Sequence, residues 1–154
     1  MVGTAVDIGM YVLHVAFAAL WTGGVLFLVL GVFPAARSGT IGNDVFRTIV
    51  DRMRWVTRIG AVVFLVTGGH LAASRYSIEA LTGTGSGHLV LTMLGLWLVL
   101  VGVMEYGSTK LDAAVNRSGV SDAIEETRTI FLVAAALAIL LLVDAGILAS
   151  GLIA

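Results

Sequence analysis

The chain contains three histidines, His14, His70 and His88, each inside or at the edge of a long apolar stretch. Asp144 is the one acidic residue well inside the last of these stretches. Neutral imidazoles from separate helices are suitable axial ligands for a haem iron, and ionisable groups inside apolar spans usually mark function. The pattern predicts a ligand or proton function for these side chains, on the condition that they converge on one layer of the structure.

The composition is typical of a membrane protein. Of the 154 residues, 58% are hydrophobic and 12% are charged, with 19 Gly, one Pro and no Cys; the mean hydropathy is +1.02. Soluble domains are roughly 45–50% apolar and about 25% charged. These values exclude a disordered chain, a disulfide scaffold, a thiolate metal site and a nucleic-acid binder. The sequence therefore predicts a multi-pass protein of the cell membrane, in contact with the lipid bilayer.

Four apolar stretches must position the histidines, and we predict a single all-α domain with four transmembrane helices. Each stretch is long enough to cross a hydrocarbon core of roughly 30 Å as a helix. Short connections favour antiparallel neighbours, so the expected fold is an up-down-up-down four-helix bundle. The predicted spans are residues 8–33, 55–73, 88–106 and 130–152.

The connections between these spans have recognisable sequence signals. Pro34 is expected to end the first helix, because proline lacks the N–H group that a helix needs. Residues 82–87 are expected to form a flexible loop before the third span. Residues 116–119 are expected to end the third helix, and Ser121 to cap the fourth.

The basic residues predict the orientation of the chain in the membrane. Five of the nine lie between or at the start of the first two spans, one lies in the second loop, and three lie between the last two spans. Lys and Arg accumulate on the cytoplasmic side. We therefore expect the first and third loops inside and both termini outside, which places all three histidines and Asp144 in the outer third of the membrane.

Helical periodicity predicts which residues of the third span face other helices. His88 shares a face with Thr92 and Gly95 at about 100° per residue. Small and polar residues of this kind are typical of helix contacts in membranes. Trp97 lies on the opposite face, where we expect contact with lipid or with a second copy in a homo-oligomer.

These observations predict a bis-histidine haem b site near the outer face, in electron transfer or redox sensing. His14 is the first expected ligand. The similar membrane depth of His14 and His70 favours His70 as the second ligand, whereas the small-residue stripe of the third span favours His88. Asp144 or a threonine could orient a ligand imidazole through its second nitrogen. Besides the histidines, the residues expected to line the site are Trp21, Thr67, Thr92, Gly95 and Asp144. A quinone or a redox protein is the expected partner, and whether the protein is an enzyme stays open.

Two alternatives use the same features. Copper could bind to Met10, His14 and His88, since thioether and imidazole groups suit Cu(I). A purely structural subunit of a larger membrane complex is the second alternative.

Arg58 and Glu105, near the inner ends of their spans, are expected to form an ion pair that fixes helix register, with a headgroup or quinone site as the alternative.

Three segments resemble CopD-type membrane domains. Residues 14–24 (HVAFAALWTGG), followed by Phe33 and Pro34, resemble the first helix of that family. Residues 58–68 (RIGAVVFLVTG) resemble the second helix, and residues 87–91 (GHLVL) resemble the start of the third. The resemblance implies copper handling and carries over His14 and Trp21 as functional positions.

The layout is also similar to that of HemJ-type four-helix proteins, which act on protoporphyrinogen and are associated with haem. Proteins of these families often carry a lysine in the third span, where this chain has Thr92 and Met93. This departure argues against a protoporphyrinogen oxidase. The additional imidazoles of His70 and His88 favour haem over copper.

Overall fold

A computed structural model describes residues 4–151, which form helices and no strands. Four of the helical stretches are long and apolar enough to cross a membrane, so the fold is that of an all-α, multi-pass membrane protein. Residue 152, at the end of the fourth predicted span, and the two termini that were predicted to lie outside fall beyond the described residues. In chain order the elements are α1 (Ala5–Phe27), a π-helical segment (Leu28–Val32), α2 (Phe33–Arg37), α3 (Asn43–Arg75), α4 (Ile78–Gly83), α5 (Gly85–Ser118) and α6 (Val120–Ser150).

Pro34 does not end the first long helix, so that prediction is wrong. The proline lies in the first turn of α2, where its missing N–H is not required. Immediately before it, the backbone widens into the π-helical segment, in which the Phe33 N–H bonds to the Leu28 carbonyl. A wider turn accommodates the proline ring, which would otherwise collide with the carbonyl four residues earlier. The apolar helix therefore continues to Arg37.

The other connections agree with the sequence in part. Gly119 follows the end of α5 with a φ of +87°, which confirms the predicted end of the third helix. The predicted flexible loop at residues 82–87 is wrong, because α4 and α5 leave only Thr84 between them. The Thr84 hydroxyl caps α5 by accepting from the Gly87 N–H at 3.0 Å. Ser121 caps no helix, since α6 begins at Val120 without a side-chain cap.

The four long helices pack as a bundle. Contacts between α1 and α3 run in opposite directions along the two helices, from Asp7 with His70 to Trp21 with Thr57. At the other end of the bundle, the α2–α3 and α5–α6 connections lie on the same side. There Arg37 lies 3.1 Å from Glu125, and Arg47 donates to Asn116 at 3.0 Å.

The core is concentrated in one half of the bundle. We call residues 21–37, 43–60 and 100–138 the charged half, because eight of the nine basic residues lie there. The remaining parts of the long helices, residues 5–20, 61–75, 85–99 and 139–150, form the histidine half. No residue is buried among residues 5–20, and only Gly87 is buried among residues 85–99. The buried residues of the histidine half are therefore few: Phe64, Thr67, Gly87 and Asp144.

Candidate functional site

His14 is held in one orientation by α3. Its Nδ1 atom lies 2.8 Å from Oγ1 of Thr67, and the Thr67 hydroxyl donates to the Val63 carbonyl at 2.6 Å. Because that hydroxyl proton is already used, Thr67 accepts the bond and Nδ1 of His14 carries the proton. In a neutral imidazole the lone pair is then on Nε2, which is the atom that could bind a metal.

The packing around the imidazole explains why the ring can lie so close to α3. Gly68 lies against it, and a Cβ atom at that position would be 3.3 Å from Cε1 of His14. On the next turn of α3, the Phe64 ring contacts the imidazole edge-on, with a centroid distance of 5.2 Å. His14 is half-buried as a result, and its orientation depends on three residues of α3.

His70 belongs to a different contact on the same interface. Its Nε2 lies 2.8 Å from Oδ1 of Asp7, while Oδ2 of Asp7 accepts from the backbone N–H and the hydroxyl of Thr4. Sequence reasoning missed Asp7 because the first span was expected to begin at residue 8. The available signal was the seven-residue spacing between Asp7 and His14, which places both on one helix face.

His14 and His70 form separate hydrogen bonds across the α1–α3 interface. The two bonds lie seven residues apart on α1, at His14 and Asp7, and three residues apart on α3, at Thr67 and His70. Three residues correspond to about 4.5 Å along a helix. The two imidazoles lie in the same half of the bundle, but each is fixed at its own turn.

His88 lies at the exposed start of α5. Its Nε2–H donates to the Thr82 carbonyl at 2.9 Å, so the ring is tied to the end of α4. Thr92 and Gly95 are exposed as well. The prediction that this stripe faces other helices of the chain is therefore wrong. The expectation that Trp97 faces lipid is also wrong, since Trp97 is half-buried and packs against the core.

Asp144 points into the bundle. It is 6% exposed, and its Oδ2 atom is buried without a hydrogen-bond partner among the described residues. Nε1 of Trp97 is likewise buried and unpaired within residues 4–151. A Cβ atom added at Gly107 of α5 would lie 2.9 Å from Ile130 of α6, so these two positions face each other. Counted along both helices from that contact, the side chains of Trp97 and Asp144 lie within about two helical turns of each other.

Trp21 is a packing residue of the α1–α3 interface. It is 2% exposed and its Nε1–H donates to Thr57 Oγ1 at 3.0 Å. Thr57 in turn donates to the Met53 carbonyl at 3.1 Å. The indole also lies against Phe64, with ring centroids 5.5 Å apart. Trp21 is thus linked to His14 through one shared aromatic ring, but its polar atom has no further bond to offer.

Arg58 and Glu105 form the expected ion pair, with Nε–Oε1 at 2.9 Å and Nη2–Oε2 at 3.0 Å.

Met10, a ligand in the predicted copper site, is half-buried on the turn of α1 before His14. Between residues 4 and 151, no group of three or more His, Cys, Asp or Glu side chains is arranged to hold a metal ion. Among the described residues, all three imidazoles are oriented by a hydrogen bond, and His14 is the one whose bond uses Nδ1 instead of Nε2.

Comparisons with protein-family models, with curated proteins and with solved structures found no match. The resemblance to CopD-type domains therefore stays a prediction from three short segments.

Proposed function

We propose that this protein binds haem b through Nε2 of His14 and acts in electron transfer or redox sensing. The hydrogen bond from Nδ1 of His14 to Thr67 carries the proposal. Metal-ligating histidines commonly donate their other N–H to a protein acceptor that fixes the ring and its tautomer. Haem would supply a centre that gains and loses one electron, while Thr67, Phe64 and Gly68 hold the imidazole in place.

Two polar atoms in the interior that are unpaired among residues 4–151 also support a bound cofactor. Haem in a helical bundle lies between helices, held by side chains on facing elements. Asp144 and Trp97 add two buried polar atoms without partners in the described chain. Buried polar groups of this kind call for a bound water, ion or ligand.

A single protein ligand is the form that the geometry supports best. His70 and His88 each use Nε2 in a hydrogen bond, to Asp7 and to the Thr82 carbonyl. A bis-histidine site would require one of them to leave its present hydrogen bond.

The proposal includes a topology. We infer an up-down-up-down bundle in the cell membrane, with the charged half on the cytoplasmic side and both termini outside. Eight of the nine basic residues lie in the charged half, and basic residues accumulate on the cytoplasmic side. The haem would then lie near the outer face, accessible to a quinone or to a redox protein.

The spectrum of the purified protein tests this function. Protein expressed in haem-supplied cells and purified in detergent should show a Soret band that shifts and sharpens on reduction. His14→Ala should lose the band, whereas His88→Ala, the matched control, should keep it. Colourless protein that retains copper after dialysis would favour the copper alternative, with Met10, His14 and His88 as ligands. Colourless, metal-free protein would instead favour a structural subunit.

A further inference from the structure

A groove opens in the charged half between the first long helix and α6. Its volume is about 410 Å³, within the range of roughly 300–1,000 Å³ that is usual for small-molecule sites. Val29, Phe33 and Leu132 supply apolar walls, and Arg37 and Arg128 line the same groove. The groove thus combines an apolar surface with two guanidinium groups.

The two arginines keep hydrogen-bond donors for a ligand. Nη1 of Arg37 lies 3.1 Å from Oε2 of Glu125, and Nη1 of Arg128 lies 3.9 Å from Oε1 of the same residue. Within residues 4–151, Glu125 is the only acid within 4 Å of either guanidinium. Each guanidinium has five N–H groups in a planar fork that suits phosphate oxygens. One carboxylate shared by two arginines leaves a local positive charge.

The position of the groove matches the depth of a lipid headgroup. Val29 belongs to the π-helical segment of the first apolar helix, and Arg37 is the last residue of that helix. Arg128 and Leu132 lie one turn apart on α6, so the charged and apolar parts follow each other along the helix axis. Basic residues next to an apolar span attract anionic lipids.

We propose that this groove binds one phospholipid with an anionic headgroup. Arg37 and Arg128 bind the phosphate, and the start of an acyl chain lies along Val29, Phe33 and Leu132. The site is separate from His14, so its occupancy does not depend on the haem proposal.

Native mass spectrometry of delipidated protein in detergent, titrated with phosphatidylglycerol or phosphatidylcholine, tests this proposal. Wild type should retain one phosphatidylglycerol with clear preference over phosphatidylcholine. Arg37→Gln with Arg128→Gln should weaken phosphatidylglycerol binding by about 30-fold, since each basic residue near an anionic lipid contributes about fivefold. Arg47→Gln with Arg117→Gln removes the same charge from the same half outside the groove, and should change the affinity less than twofold.

Two further variants separate the parts of the site. Arg37→Lys with Arg128→Lys keeps both positive charges. This variant should retain most of the phosphatidylglycerol binding, because the double Gln variant loses that binding by removing charge. Leu132→Trp should fill the apolar part and weaken lipid binding at an unchanged unfolding temperature. Equal binding of both lipids, an equal loss in the control pair, or full binding by Leu132→Trp would overturn the proposal. Displacement of the lipid by an equal concentration of inorganic phosphate would show a phosphate site and would also overturn it.

Discussion

His14 and Thr67 join the first long helix to α3 through a 2.8 Å hydrogen bond between Nδ1 and Oγ1. The same arrangement recurs two turns along α1, where Trp21 donates to Thr57. In both cases the threonine donates its own proton to the carbonyl four residues earlier on α3, as threonines within helices often do. Both threonines are 1% exposed. The repeated contact fixes the register of α1 against α3 and the tautomer of His14.

Replacing Thr67 tests the tautomer assigned to the His14 imidazole. Thr67→Val removes the acceptor while keeping the shape, so the proton of the His14 imidazole should no longer be confined to Nδ1. Thr67→Ser keeps the hydroxyl and is the matched control. Nitrogen NMR of side-chain-labelled histidine should show the Nδ1–H form in wild type and in Thr67→Ser, and a mixture in Thr67→Val. A dominant Nε2–H form of His14 in wild type would contradict the assignment.

The close packing of α5 on α6 predicts the effect of a single methyl group. A Cβ at Gly107 would lie 2.9 Å from Cγ2 of Ile130, whereas a Cβ at Gly102 would meet nothing within 4 Å. Gly107→Ala should lower the midpoint of thermal unfolding in detergent, because overpacking typically costs about 1–3 kcal/mol. Gly102→Ala should leave it unchanged or raise it, since alanine favours the helix by roughly 0.5–1 kcal/mol. Equal effects at both positions would show that the helices are not in close contact at Gly107.

Removal of the carboxylate should change the stability of the protein in opposite directions at Asp144 and at Asp112. Asp144 is buried without a partner in the described chain, and an unsatisfied buried polar group costs about 1–3 kcal/mol. Asp144→Leu should therefore raise the stability of the cofactor-free protein. Asp112 forms an ion pair with the half-buried Arg54, so Asp112→Leu should lower stability by removing one of the two carboxylates within residues 4–151 that pair with this arginine; Asp51, at 3.5 Å, is the other. Unfolding curves in detergent measure both effects, and a destabilised Asp144→Leu variant would indicate that Asp144 binds something in the native protein.

The fold was largely predictable from the sequence, since length and hydropathy alone determine four apolar helices. Gly119 and the Arg58–Glu105 pair also followed from local signals. The face of α5 that contacts the other helices did not follow from such signals. Lipid is as apolar as a protein core, so the outward and inward faces of a membrane helix have similar hydrophobicity. The stripe from His88 to Gly95 therefore predicted the wrong face, and Trp97 was assigned to a contact with lipid or with a second copy.

The candidate site was predictable only one residue at a time. His14 stood out as an imidazole inside an apolar helix, but Thr67 was predicted only as one of the residues that line the site, and the threonine that orients the imidazole was not identified. The Asp7–His70 contact depends on where α1 begins, and the helix includes three residues before the predicted start of the span. Pairing between helices depends on their register, which periodicity within one helix does not determine.

Haem titration of the apoprotein in lipid nanodiscs tests the central claim, that Nε2 of His14 is the open ligand. Wild type and His88→Ala should bind haem with the same affinity and the same Soret maximum, and His14→Ala should lose at least tenfold in affinity together with the shifted band. Full haem binding by His14→Ala, or no saturable binding by the wild type, would contradict the account.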